Sequence, residues 1–304
     1  MAWLEVHEYG VQGWSGGLDS SERARHYCRE LERGAILFFS VLPFDFPEDE
    51  RKLLLSLTAK DSRFHKNISY RPGSDILRGL DDSENLPQVH NVMRRYAAEI
   101  RRFVAGFLTH YADKLQMDYA SFRPLEEEGR NLPLHKRNDL LHVDSFPSRP
   151  TRGSRILRVF TNLNPEKARV WMVGERFPKL VERYAEQAGL ASFTRRSRVL
   201  EGLKKGLSRL ALPVPDRAPY DRFMLHFHDW LKENSGFQKQ AEGKERLEFP
   251  PMATWLVFTD GVPHAALSGQ FAIEQTFIIP VGALVAPEAA PIRVLERISG
   301  RAMA

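Results

Sequence analysis

The chain has 304 residues, 42% of them hydrophobic, which suffices for one large domain with a real core. Its 44 Lys and Arg against 39 Asp and Glu leave a net charge of +5, which favours an anionic partner: nucleic acid, an anionic membrane, or a phosphorylated or carboxylated small molecule. A single cysteine, Cys28, excludes an internal disulfide framework and a thiolate metal cluster, so any metal must be held by nitrogen and oxygen ligands, as suits a reducing cytosol.

At the N-terminus, MAWLEVHEYG places Glu5 and Glu8 where a secretory signal would need a basic start and then an apolar stretch. The longest uncharged run nearby, GAILFFSVLPF, has 11 residues against the roughly 20 of a membrane helix, so neither export nor a span is expected. That run (34–44) reads as a buried strand closed by Pro43. PEDERKLLLSL (47–57) follows as a helix opened by a proline and an acidic first turn. From 87 to 115, apolar residues such as Val89, Val92, Met93, Tyr96 and Ile100 recur at threes and fours, the stripe of a long amphipathic helix.

The period then changes. YASFRP (119–124), LLHV (140–143), RILRVFTNLN (155–164) and RVWMV (169–173) are short, β-branched or aromatic, and separated by turn residues, which predicts strands. Helical spacing returns over 176–240, with charged faces such as RRSRVLEGLKKGLSRL, before ATWLVFTDGVPHAALSG and FAIEQTFIIPVGALV resume strands. The organisation expected is a single α+β domain over 1–304. Residues 1–117 give strand and helix support, 118–175 and 250–290 the β core, and 176–249 a mainly helical insert. No internal repeat or low-complexity segment interrupts it.

Alternation along a strand points His142 and Asp144 to the same face, so one segment offers two ligands to one ion. His264, in FTDGVPHAALSG, is the candidate third ligand, because its strand-rich block can fold back against the first. Two histidines and a carboxylate form the facial triad of non-haem Fe(II) oxygenases, which leaves positions open for a co-substrate and dioxygen. At this point the alternative, a capped turn with a hydrogen-bonded histidine, stands beside it. In LHFHDW (225–230), His226, His228 and Asp229 lie on predicted helix, where residues two apart face different ways, so helix packing is expected there instead of a second metal site.

KNISYRPG (66–73), SFRPLEEEGR (121–130), LLHVDSFPSRPTRGSRILRVFTNLNPEKARVW (140–171), FHDWLKENSGFQ (227–238) and TWLVFTDGVPHAALSGQFAIEQTFIIP (254–280) together resemble the Kdo 3-hydroxylases. These are Fe(II)- and 2-oxoglutarate-dependent dioxygenases acting on 3-deoxy-D-manno-oct-2-ulosonic acid (Kdo) of the lipid A inner core. The resemblance covers most of the chain from about residue 35. It implies a double-stranded β-helix (jelly-roll) core with N-terminal helices and a helical insert, with His142, Asp144 and His264 as iron ligands. It also implies hydroxylation at C3 of Kdo while 2-oxoglutarate and O2 yield succinate and carbon dioxide. The substrate would be tethered to lipid A at the cytoplasmic face of the inner membrane, making the protein peripheral there, in keeping with its positive charge.

Many members of the wider superfamily carry a basic co-substrate anchor ten or eleven positions after the distal histidine, where this chain has Glu274 and Gln275. The first basic residue after His264 is Arg293. Arg155 and Arg158 are the replacements offered, on opposite faces of one strand, and Arg158 is preferred because only an inward guanidinium could clamp a carboxylate. Thr161, Asn162 and Thr276 are candidates to orient the co-substrate. Arg123, Lys136, Arg137, Arg149 and Arg152 flank the His-x-Asp segment as candidates for the anionic substrate, with Lys66 and Arg71 behind them. Basic helices of the insert could also rest on anionic lipid. The same chemistry on another anionic sugar or lipid, and a non-catalytic module for acidic glycan or nucleic acid, are the competing readings. Nucleic acid is not expected, because aromatics such as Phe223, Trp230, Phe258 and Phe277 fall on apolar stripes and do not interleave a basic groove. No protein partner is inferable.

Overall fold

A computed structural model describes residues 3–15, 20–57, 67–80, 85–194 and 217–304. RRSRVLEGLKKGLSRL, most of the basic part of the insert, and Lys66 lie outside these residues. The strands are β1 (Trp3–Glu5), β2 (Tyr9–Gly10), β3 (Gly13–Trp14), β4 (Ile36–Phe39), β5 (Ile68–Arg71), β6 (Ile76–Arg78), β7 (Gln116–Arg123), β8 (Arg155–Asn162), β9 (Arg169–Val173), β10 (Glu245–Phe249), β11 (Thr254–Phe258), β12 (His264–Ser268) and β13 (Ala272–Ile279). The main sheet runs β1-β4-β11-β8-β13-β7-β5-β6, a smaller sheet runs β10-β9-β12, and β2-β3 form a hairpin. The result is a mixed fold of one large sheet with several helices.

Period-two alternation sorts side chains to the two faces of the large sheet. On β8, Leu157 and Val159 join the core packed under the helices, while Phe160 faces the small sheet. The space between the sheets is aromatic: Phe160, Trp171, Phe249 and Trp255 pack ring on ring, with Phe249 and Trp255 stacked at 3.9 Å.

Over the other face lie α1 (Ser20–Glu32), α2 (Glu48–Ser56) and α3 (Leu86–Phe107), which supply the outer core. The stripe of α3 buries Val89, Val92, Met93, Tyr96, Ile100 and Phe103 as its spacing predicts, although the α-helix ends at Phe107 and a 3-10 turn carries the chain to Lys114. The insert contains α4 (Phe177–Tyr184), α5 (Leu190–Thr194), α6 (Pro219–Glu233) and α7 (Ser235–Lys239), and α8 (Pro291–Ser299) closes the chain.

Two local expectations are corrected. Glu245–Phe249, placed in the helical insert, is strand β10, because Leu247 and Phe249 alternate inward against β9. LLHV does not form a strand: His142 makes a single antiparallel bridge to His264, through His142 N to His264 O at 3.2 Å and the reverse bond at 2.9 Å. The next anchor, Asp144 N to Thr259 O at 2.9 Å, goes to a different segment, so no ladder propagates.

Candidate metal centre

The single bridge is enough to bring the three candidate ligands together. His142, Asp144 and His264 are all buried, and one ligand atom from each lies within 4.8 Å of the others. His142 Nδ1 sits 2.7 Å from the carbonyl of Leu140 and His264 Nδ1 sits 2.9 Å from that of Val262. Each bond assigns the ring proton to Nδ1 and leaves Nε2 as the free donor pair, the tautomer a metal requires. Burial pushes both imidazoles down from their ordinary pKa, which keeps them neutral. Burial works to raise the Asp144 carboxyl, but the charge of Arg158 leads the influences that outweigh it and hold the group well below the usual carboxylate range. Asp144 Oδ2 lies 3.2 Å from Arg158 Nε without the alignment of a hydrogen bond, so it is a buried anionic oxygen awaiting a partner. The residues fit a divalent metal.

These ligands open into a cavity of about 860 Å³. Its sheet side follows from alternation. Ser69, Ser121 and Glu274 pair across neighbouring strands, and Arg158 and Arg123 stand two residues from that row. Arg123 reaches Glu274 at 3.1 Å, Arg158 reaches it at 3.5 Å, and Arg123, Arg130 and Arg169 converge on Glu127 at 3.4, 3.1 and 3.4 Å. Burial raises Glu127 and Glu274, but the arginines prevail and leave both carboxyls lowered. Cations outnumber carboxylates at this end, a balance suited to a dianion.

Of the expected co-substrate residues, Arg158 lines the cavity and Arg155 does not. Arg155 projects from the opposite face of β8 into a buried ion pair with Asp260 at 2.8 Å, as strand parity dictates. Thr161 is also on the far face, bonded to the Thr254 hydroxyl at 3.0 Å. The Asn162 amide donates to the carbonyls of Lys167, Phe249 and Pro250, tying loops together. Thr276 is buried opposite Arg158 on β13 without lining the cavity.

Among the expected substrate residues, Arg123 and Lys136 line the cavity, whereas Arg137, Arg149 and Arg152 do not. Arg137 pairs with Asp139, and Arg149 pairs with Asp118 and stacks on Tyr119 at 3.8 Å, a ring that Arg71 also covers. Arg152 occupies a left-handed turn whose amide is held by Asp221. His226 is exposed against Phe193, whereas His228 faces the cavity with its ring 4.8 Å from that of His142.

The sequence reading passes over Arg130, Arg169 and Lys232 and assigns His228 to helix packing, yet all four line the cavity. For the last two a signal exists: positions 225, 228, 229 and 232 form one face of α6 beside its apolar stripe.

A family model described as 3-deoxy-D-manno-oct-2-ulosonic acid (Kdo) hydroxylase matches residues 16–302. The chain belongs to the Kdo hydroxylase family. Among solved structures, the apo form of the Kdo hydroxylase KdoO, a non-haem Fe(II) α-ketoglutarate-dependent dioxygenase, is 33% identical, with 100% of this chain and 97% of that chain covered at a TM-score of 0.85. KdoO with α-ketoglutarate and Fe(III) matches at 33% identity, 100% and 98% coverage and a TM-score of 0.84. KdoO with succinate and Fe(III) gives 33%, 100% and 97%, and 0.84. A search of curated protein sequences finds no match. Kdo hydroxylase activity implies a Kdo-containing substrate.

Proposed function

We propose that this protein is an Fe(II)- and 2-oxoglutarate-dependent dioxygenase that hydroxylates C3 of Kdo, with succinate and carbon dioxide as co-products. The observation that carries the reading is the His142–Asp144–His264 cluster, preset in tautomer and charge for a divalent metal, in a chain of the Kdo hydroxylase family. The KdoO complexes with Fe(III) and α-ketoglutarate or succinate support the same cofactor pair here. The strand order β7-β13-β8-β11, facing the His142 bridge, β12, β9 and β10, supports a double-stranded β-helix core within a single domain.

His142, Asp144 and His264 would hold the iron. Iron, when bound, supplies the dioxygen and C–H chemistry that side chains cannot perform. The chain's residues do the rest. Arg158 and Arg123 receive the co-substrate carboxylates, and Glu274, where many relatives carry the basic anchor, is neutralised between these two arginines. Phe160 and Trp171 form an apolar wall that limits water at the reacting carbon.

The substrate is Kdo on lipid A, met at the cytoplasmic face of the inner membrane by a peripheral protein. No helix among the described residues is long and apolar enough to cross a membrane. Exposed Leu134 sits beside Lys136 at the cavity rim, a pairing suited to an anionic interface.

The deciding experiment measures succinate release by anaerobically prepared protein given Fe(II), 2-oxoglutarate and oxygen, with and without Kdo-bearing lipid A. Release that rises with the lipid, together with the mass of one added oxygen on its Kdo, is expected. Release without that gain would move the substrate to another anionic sugar or lipid, and no release from folded, iron-loaded protein would leave a binding module.

A further inference from the structure

Helix α6 buries Phe223, Met224, Phe227 and Leu231 in the outer core and turns Leu225, His228, Asp229 and Lys232 toward the cavity. Lys232 is only 4% exposed. Its Nζ donates to the carbonyl of His135 at 3.0 Å, and among the described residues no carboxylate lies within ion-pair distance. Asp144, Asp229 and Asp139 act on it only at longer range. The buried arginines of the cavity differ, since Arg123, Arg158 and Arg169 each face Glu127, Glu274 or Asp144. An ammonium buried without a counterion is unfavourable, and burial pushes this one down to about 8. Lys232 stands one turn after His228, whose ring lies 4.8 Å from that of His142, so its side chain enters the cavity between the metal ligands and the Leu134–Lys136 rim. His228 Nδ1 lies 2.8 Å from the Val143 carbonyl, which leaves Nε2 as an acceptor.

The substrate's chemistry matches this arrangement. In a 2-ulosonic acid the C1 carboxylate is bonded to C2 and C2 to C3, so whatever holds the carboxylate must stand within one hydrogen bond of a group two bonds from the reacting carbon, in the same cavity as the ligands. We propose that Lys232 anchors the C1 carboxylate of the Kdo unit and that His228 accepts a hydrogen bond from one of the sugar's hydroxyls. The assignment rests on the Kdo hydroxylase reading and divides the two anions of the reaction: 2-oxoglutarate goes to the arginines of the sheet and the sugar acid to the lysine of the helix. Neither then competes for the other's place.

The test is equilibrium binding to holoenzyme loaded with Fe(II) and 2-oxoglutarate in the absence of oxygen. The probes are the methyl glycoside of Kdo and its C1 carboxamide. Wild-type protein is expected to bind the carboxylate about 30-fold more tightly than the amide, the scale of a lost partner in a buried charged pair. Lys232→Gln, which can still donate to the His135 carbonyl, should bind both probes alike. Retention of the wild-type preference in Lys232→Gln overturns the assignment, as does wild-type protein that binds both probes equally or neither. Should that variant fail to fold, a crystal structure of wild-type holoenzyme with the glycoside decides. The C1 carboxylate is expected within about 4 Å of Lys232 Nζ, and a carboxylate held by Arg123 or Arg158 instead refutes it. The 2-oxoglutarate-dependent absorbance of the Fe(II) centre is read on the same samples. Its absence from wild type marks failure of the oxygenase reading, whereas its presence with unaltered selectivity in Lys232→Gln marks failure of the Lys232 assignment alone.

Discussion

Asp144 carries the charge of the three-residue cluster, so Asp144→Asn keeps the shape of the site while removing what a divalent metal needs most. Iron affinity should fall by more than the roughly 10–100-fold that loss of an outer-shell partner costs, and titration of the apo-variant with Fe(II) measures it. Unchanged affinity would mean that the metal sits elsewhere. Arg158 and Arg155 make a second contrast, because strand parity separates them although three positions part them in sequence. Arg158→Met should raise the 2-oxoglutarate KM about 30-fold or more, corresponding to about 2 kcal/mol. Arg155→Met should instead cost about 3–5 kcal/mol of stability by leaving Asp260 buried without its cation, and the folded fraction should keep its co-substrate KM. Reversal of the two phenotypes in paired kinetics and melts would reverse the assignment. A local pattern is enough to mark His-x-Asp as a pair offered to one ion and to set Arg158 on the face of β8 that lines the cavity. It fails for Arg169, since its partner Glu127 comes from another segment and only folding brings the two together, and for Arg130, whose nearby partner Glu127 gives no sign in the sequence that the pair faces a cavity.

Elements place these residues through turns and inter-strand charge pairs. The link between β12 and β13 passes through Gly269 at φ +119°, where an added Cβ would stand 2.9 Å from Cγ of Arg169. Gly269→Ala should therefore cost about 1–3 kcal/mol from backbone strain and displace Arg169 in the cavity; a melting temperature within error of wild type would contradict this. Glu127 joins Arg123 and Arg130 of its own segment to Arg169 of β9, and its lowered pKa makes a pH prediction. Its contribution is complete above the unfolded value near 4.5 and is lost as pH falls through the lower folded value. Glu127→Gln should be less stable at neutral pH and show a shallower acid limb below about pH 4.5; denaturant melts at several pH values would show parallel curves if the pairs were idle. The strands around the site were legible because short aromatic and β-branched runs alternate cleanly. LLHV was read as a strand on the same pattern, but a pattern does not reveal how many neighbours a segment finds, and His142 finds one. The outward face of α6 was equally hard to assign, since an amphipathic stripe identifies the buried side and leaves open whether the next face meets water or a cavity.

For the whole molecule, the metal site and its cavity share the space between the sheets with a cluster of aromatic rings, and α1, α2 and α3 pack on the opposite face of the same large sheet. Neither core depends on the three ligands, so metal and fold are coupled by binding energy alone and not by assembly, unlike small domains that a metal must organise. Removing metal with a chelator should abolish turnover and leave the circular dichroism spectrum intact. Restoring Fe(II) to a hundredfold excess over its Kd should stabilise the protein by about 2.7 kcal/mol, seen as a rise of several degrees in Tm under anaerobic conditions. Because the buried Asp144 carboxylate is held among cations until a metal arrives, 2-oxoglutarate alone should stabilise the apoprotein less than it stabilises the iron form, where metal and arginines act on one ligand together. Equal shifts with and without iron would show that the co-substrate engages the arginines without touching the metal, and would separate the cavity's two functions.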